Sequence, residues 1–226
     1  MKRVETVKAK ALLFDMDGVL TNSIPAVTRV WTRWAEQHGF NAPEVVHRAH
    51  GRPSIATLRD LLPDADHHAE NRLIEQAEIE DLEGIVPLPG AQELLLSLPP
   101  DAWAIVTSCT RPLAEVRIRA AGLPVPQHFI TSSDIVHGKP HPEPFLKGAA
   151  SVGVAPTECI VVEDVPAGIA SGRSAGARVI ALSTTTSEGE LRAAGAGWIL
   201  PNCAAIRFSA REDGYLSLRL STGSGS

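Results

Sequence analysis

The chain has 226 residues, of which 44% are hydrophobic and 21% charged, with a formal net charge of −5. That length can bury a sizeable core, as one large domain or a core with an insertion, and the composition excludes a disordered chain. The acidic balance excludes a general nucleic-acid binder, which needs a basic face, so any phosphate site has to be local.

Three cysteines, Cys109, Cys159 and Cys203, are odd in number, far apart and without metal-ligand spacing. They read as free thiols in a reducing cytoplasm. Met1 to Thr6 carries charge with no apolar segment after it, so no signal peptide is expected. No apolar run approaches the roughly 18 residues that span a bilayer, so no membrane partner is expected.

In chain order, Ala11 to Phe14 is an apolar run of strand length that delivers Asp15-Met16-Asp17 and breaks at Gly18. Alternate strand residues point the same way, so the two carboxylates can flank one site. Thr21 to Pro25 reads as a helix start, with Ser23 as cap and Pro25 in the first turn. Ala26, Val27, Val30, Trp31, Trp34 and Ala35 then recur at helical spacing up to about Gly39. Three more helices follow: Pro43 to Ala49, Pro53-Ser54 to Leu62, and one after Pro63-Asp64 carrying Ala69, Leu73, Ile74, Ala77 and Leu82. This helical block of roughly sixty residues has the size of a small accessory domain.

From Val86 the pattern alternates. Strands at 103–107, 129–131, 159–163, 178–182 and near 198–200 are separated by helices at 91–98, 113–121, 144–152 and 167–175. Short continuous apolar strands between helices predict an α/β fold with a parallel sheet covered on both faces. Residues 205–220 read as a short extended tail with a hairpin around Asp213-Gly214.

In such a sheet the carboxyl ends of the strands share one edge, where ligands bind. Asp15-Asp17, Thr107-Ser108, the loop residue Lys139 and Glu163-Asp164 therefore converge, beneath the helical block. Two acid pairs, a hydroxyl and an ammonium are the equipment for phosphoryl transfer through a covalent intermediate. A carboxylate can form an aspartyl phosphate, Mg²⁺ takes a few carboxylate oxygens, and lysine and hydroxyl hold the remaining phosphate oxygens.

Four motifs in this order resemble the haloacid dehalogenase-superfamily hydrolases with a helical cap: Phe14 to Leu20, Ile105 to Ser108, Gly138 to Phe145 and Val161 to Gly168. The resemblance covers residues 10–200. It implies a Rossmann-like catalytic core, residues 1–20 plus 86–226, with an inserted helical cap at 21–85. It further implies that Asp15 is the nucleophile and Asp17 the general acid/base, with the Asp17 backbone carbonyl on Mg²⁺. Asp164 would be the distal metal ligand, with Glu163 nearby. Thr107 and the Ser108 N–H would hold phosphate, and Lys139 would neutralise both phosphate and Asp15.

In capped relatives the segment His50-Gly51-Arg52 points at the substrate, and it resembles the loop of sugar- and polyol-phosphate phosphatases. The expected protein is thus a Mg²⁺-dependent phosphatase of small sugar or polyol monophosphates, cytoplasmic, a monomer or weak homodimer. The alternatives are a phosphomutase of the β-phosphoglucomutase kind, which shares the core motifs, and a non-catalytic phospho-ligand binder. His67-His68 reads as solvated helix surface, and Trp31 and Trp34 as the cap's packing face.

Overall fold

The computed structural model describes residues 3–49 and 52–222. The chain opens with β1 (Arg3–Ala9) and β2 (Ala11–Phe14). A short β3 (Thr21–Asn22) leads into α1 (Ile24–Gln37), α2 (Ala42–Ala49), α3 (Ser54–Leu61) and α4 (His67–Glu80), and β4 (Val86–Pro87) closes this excursion. Then follow α5 (Ala91–Ser97), β5 (Trp103–Val106), α6 (Arg111–Ala120), β6 (Phe129–Ile130) and α7 (Glu143–Ser151). The chain continues through β7 (Cys159–Glu163), α8 (Pro166–Ser174), β8 (Arg178–Leu182), α9 (Glu188–Ala193) and β9 (Trp198–Leu200). It ends in β10 (Ile206–Glu212) and β11 (Tyr215–Thr222).

The central sheet has the order β6-β5-β2-β7-β8-β9, and every pairing in it is parallel. Every residue of β2, β5 and β7 is buried, as strands covered on both faces require. The two faces divide by the strand period of two. Leu12 and Phe14 pack with Ile105, Ile160 and Val162, while Ala11 and Leu13 pack on the other side with Val106, Val161 and Phe145. Burying side chains of this size stabilises by about 2 kcal/mol each.

A second sheet, β1-β11-β10, is antiparallel. Its hairpin turns at Asp213 and Gly214, with φ of 51° and 78°, the positive values a two-residue type I′ turn requires. Leu216, Leu218 and Leu220 alternate along β11 into the Leu12 and Phe14 cluster. The sequence predicts the first strand at Ala11, yet β1 precedes it. Pairing with β11 brings in β1, where Val7 and Ala9 face the core. The short helix α9 is also absent from the sequence expectation. The Ser187 side chain caps it, accepting from the Glu190 N–H.

The inserted helical cap, α1 to α4, packs around its own cluster of Trp31, Trp34, Val45, Leu58 and Ile74. Three local expectations change here. The helix starts at Ile24 with Ser23 at the N-cap position and Pro25 in its first turn, as expected, but Thr21-Asn22 ahead of it forms β3, antiparallel to β4 where the chain enters and leaves the cap. Ser23 makes no capping hydrogen bond. Leu73 is 64% exposed rather than on the packing face, and Leu82 packs against the core cluster instead of the cap. Among the described residues no helix is long and apolar enough to cross a membrane.

Candidate active site

β5, β2 and β7 are neighbours, so their carboxyl ends bring Thr107, Asp15 and Glu163-Asp164 to one edge of the sheet. Lys139 arrives from the loop between β6 and α7, next to a cis peptide at Pro140. Its Nζ lies 2.5 Å from Asp15 Oδ1, 2.6 Å from Glu163 Oε1 and 3.2 Å from the Val106 carbonyl oxygen. The ammonium also sits 5.0 Å from the centre of the Phe145 ring. Glu163 Oε2 accepts from the backbone N–H groups of Asp164 and Val165 at 3.0 and 3.4 Å. Both Glu163 oxygens are therefore engaged, and one of them aims Lys139 at Asp15.

Asp15, Glu163 and Asp164 are all buried and each offers an oxygen within 4.8 Å of the others. One ammonium against three carboxylates leaves two negative charges uncompensated. Burial pushes the Asp15 carboxyl up to about 8, with Lys139 opposing the rise and Glu163 adding to it. Burial, then Glu163 and Asp15, push Asp164 well above the usual carboxylate range. Burial would discharge Lys139, but Asp15 and Glu163 outweigh it and keep it an ammonium. A buried oxygen cluster with this excess of negative charge fits a hard divalent cation.

Asp17 faces a different set of partners. Its Oδ2 is 3.0 Å from Arg117 Nη1 and accepts from the Cys109 thiol at 3.0 Å, and its Oδ1 is 3.1 Å from the Thr21 hydroxyl. Burial would raise this carboxyl, but Arg117 and hydrogen bonds from Ser23, Cys109 and Thr21 hold it below the usual range. The half-buried Cys109 thiol, against that carboxylate, is pushed well above its ordinary value by desolvation and by Asp17 and stays protonated.

Thr107 and Ser108 border the same cavity as Asp15 and Lys139, a space of about 230 Å³ roofed by cap residues such as Trp31, Asn71 and Glu75. Thr107 Oγ1 accepts from the Cys109 N–H at 3.1 Å. Arg52 also borders the cavity, but its guanidinium is already 2.9 Å from Asp60 at the surface. His50 and Gly51, the other two residues expected at the substrate, lie outside the described residues.

Two glycines make the geometry possible. Gly18 has φ of +85°, and a Cβ there would come within 2.1 Å of Asp164 Oδ2. Gly168, inside α8, would place a Cβ 1.8 Å from Glu163 Oε1. Alanine in a helix interior gains about 1 kcal/mol over glycine. Here the overlap prevails, because crowding a close-packed core costs about 1–3 kcal/mol and displaces a functional carboxylate. Gly168→Ala is expected to lower stability by about 2 kcal/mol, read by urea denaturation, and to reduce turnover by displacing Glu163 from Lys139. Turnover and stability equal to the parent would contradict this.

Sequence reasoning missed Arg117, Cys109, Glu78 and Thr185, whose hydroxyl donates to Asp164 Oδ2. Arg117 had a signal. It falls on the buried stripe Leu113, Ala114, Arg117, Ile118 of α6, so a charge occupies a core position. Thr185, in the loop after β8, had none.

The description haloacid dehalogenase-like hydrolase matches residues 9–176. Hexitol phosphatase A of Escherichia coli is 45% identical over 182 residues, spanning 78% of this chain and 84% of that protein. Glycerol-1-phosphate phosphohydrolase 2 of Saccharomyces cerevisiae is 34% identical over 214 residues, spanning 89% and 86%. The crystal structure of a hydrolase from Pseudomonas syringae superposes with a TM-score of 0.77 at 28% identity, over 85% of this chain and 94% of that one. The chain belongs to the haloacid dehalogenase-like hydrolases. Within them it is a hydrolase of the phosphatase type.

Proposed function

We propose that the chain is a Mg²⁺-dependent phosphatase of small polyol or sugar monophosphates, working through a phosphorylated Asp15. The observation that carries this reading is the Lys139 ammonium, 2.5 Å from Asp15 in a buried site bordered by Thr107. The names of the Escherichia coli and yeast relatives, which specify hexitol and glycerol phosphates, support the substrate class. The core would comprise residues 1–20 and 86–226 and the cap residues 21–85, with β3 and β4 as the paired hinge strands. Free Cys109, Cys159 and Cys203 support a reducing, cytoplasmic setting.

In the first step an Asp15 carboxylate oxygen attacks phosphorus, the ester P–O bond breaks, and Asp17 delivers its proton to the departing alkoxide. In the second, water attacks the same phosphorus, Asp17 takes the water's proton, and the bond to Asp15 breaks to release inorganic phosphate. Asp17 is ionised against Arg117, the form that accepts the proton from water. A dianionic phosphate ester arriving beside it opposes Arg117 and favours the protonated form for the first step. Thr107 and the Ser108 N–H hold the phosphate oxygens while Lys139 faces the charge that develops on them.

Asp15, Asp164 and the Asp17 carbonyl would hold Mg²⁺, with Glu163 behind them. When bound, the ion supplies charge neutralisation at the phosphate. Burial raises the carboxyls of both Asp15 and Asp164, so Mg²⁺ has to displace protons from them. Mg²⁺ affinity by calorimetry is therefore expected to rise from about pH 6 to about pH 8. An affinity flat across that window would contradict the assignment of Asp15 and Asp164 as ligands.

The direct test is a phosphate-release screen over polyol, sugar and nucleotide monophosphates, with Mg²⁺ and with a chelator. Release from polyol or sugar phosphates only with Mg²⁺ is expected. Conversion of a hexose 1-phosphate to its 6-phosphate without free phosphate would replace the reading with a phosphomutase.

A further inference from the structure

Resting on the reading of Asp17 as acid/base, we propose that Arg117 is its positioning residue, and that Glu78 reaches Arg117 from the cap to tie that position to cap closure. Arg117 and Glu78 are both buried, on α6 of the core and α4 of the cap. Arg117 Nη1 touches Asp17 Oδ2 at 3.0 Å, and Arg117 Nη2 lies 3.4 Å from Glu78 Oε2. One planar guanidinium thus links the two units at the reacting carboxylate. Glu75 accepts from the Thr110 hydroxyl at the start of α6. Glu75 and Glu78 are three residues apart on a helix, so one face of α4 carries both contacts.

The link is asymmetric. The Asp17 side is a hydrogen-bonded ion pair supported by Cys109, whose sulfur is 3.2 Å from the same Nη1. Among the described residues Arg117 Nη2 and Nε have no hydrogen-bond partner, and Glu78 approaches Nη2 only as a charge. The longer, single contact to Glu78 is therefore the one that parts when the cap opens. Arg117 stays with Asp17 through this cycle, while Glu78 joins and leaves. With the cap closed, Glu78 draws the guanidinium towards α4 and sets the direction from which it holds Asp17.

The experiment compares two esters, glycerol 1-phosphate, whose alkoxide needs a proton, and p-nitrophenyl phosphate, whose leaving group does not. In Arg117→Met, kcat for glycerol 1-phosphate is expected to fall by about 100-fold, with KM within about threefold. The first burst of p-nitrophenolate should stay within about threefold of the parent. Arg117→Lys keeps a charge without the fork and should restore part of kcat; it carries the same comparison if Arg117→Met does not fold. Glu78→Gln should lower kcat by about tenfold on glycerol 1-phosphate in the parent and have little further effect in Arg117→Met.

Equal losses on both esters, or unchanged kcat in Arg117→Met, would overturn the positioning role. Additive losses in the double variant would overturn the tie to the cap. A parent protein inert on glycerol 1-phosphate, or Asp17→Asn as active as the parent, would instead overturn the functional reading and the inference with it.

Discussion

Asp15→Asn is expected to lower phosphate release by about 10⁴-fold or more while leaving the protein folded. The amide is nearly isosteric, but it has no anionic oxygen to attack phosphorus. The stability half of the expectation comes from the electrostatics. Asp15 is one of three buried carboxylates facing one ammonium, and burial raises its carboxyl to about 8. A neutral amide removes a charge that the metal-free site disfavours, and Lys139 keeps Glu163 as its partner at 2.6 Å. A melting temperature equal to or above the parent's is therefore expected without metal. Phosphate release and labelling of the protein by a radioactive phosphate ester check the first half. Turnover above about 1% of the parent's would refute Asp15 as the nucleophile.

Lys139→Met should produce the opposite combination, loss of both activity and stability. Methionine fills a similar volume, so the main change is electrostatic. Removing one partner of a buried, hydrogen-bonded pair costs about 3–5 kcal/mol, because the charges left behind have no compensation. Here Asp15 and Glu163 lose their counter-charge together, next to Asp164.

The pH dependence has a definite sign. Without the ammonium, the folded-state values of Asp15 and Asp164 move further above those of the unfolded chain. The neutral forms are then favoured on folding, so the deficit grows as pH rises and shrinks as pH falls. Because burial already holds the parent's Asp15 carboxyl at about 8, the extra deficit develops around and above that value, and urea denaturation at about pH 7 and about pH 9 should show the variant closer to the parent at the lower pH. A deficit independent of pH would mean that lost packing, rather than lost charge, is responsible. In the parent, a bound divalent cation and the lysine act on the same excess charge, so added Mg²⁺ should recover part of the variant's stability.

The charge pattern also separates the two aspartates of the first motif. Asp15 is surrounded by carboxylates and raised; Asp17, two residues on, is surrounded by donors and lowered. Opposite environments for two groups so close in the chain are how one site assigns separate tasks to chemically identical side chains.

The sequence by itself determined what depends on local order. Continuous apolar runs announced the parallel strands β2, β5, β7 and β8, because strands covered on both faces have no polar side to alternate. The sheet's directionality then implied that Asp15, Thr107, Lys139 and Asp164 share one edge, and the structure brings them together. Caps, prolines and helical spacing likewise marked the cap helices to within a few residues.

What only the tertiary structure decided involves partners distant in the chain. β1 exists through pairing with β11, about two hundred residues later. Ser23 occupies the N-cap position of α1, but its side chain makes no capping hydrogen bond there. The sequence places Glu163 beside a metal, and only the structure adds that its oxygens also orient Lys139 and satisfy two backbone N–H groups. Arg117 and Glu78 are 39 residues apart in the sequence and meet only when α4 lies against α6. No local pattern encodes that meeting: it follows from how the cap's helices dock on the core.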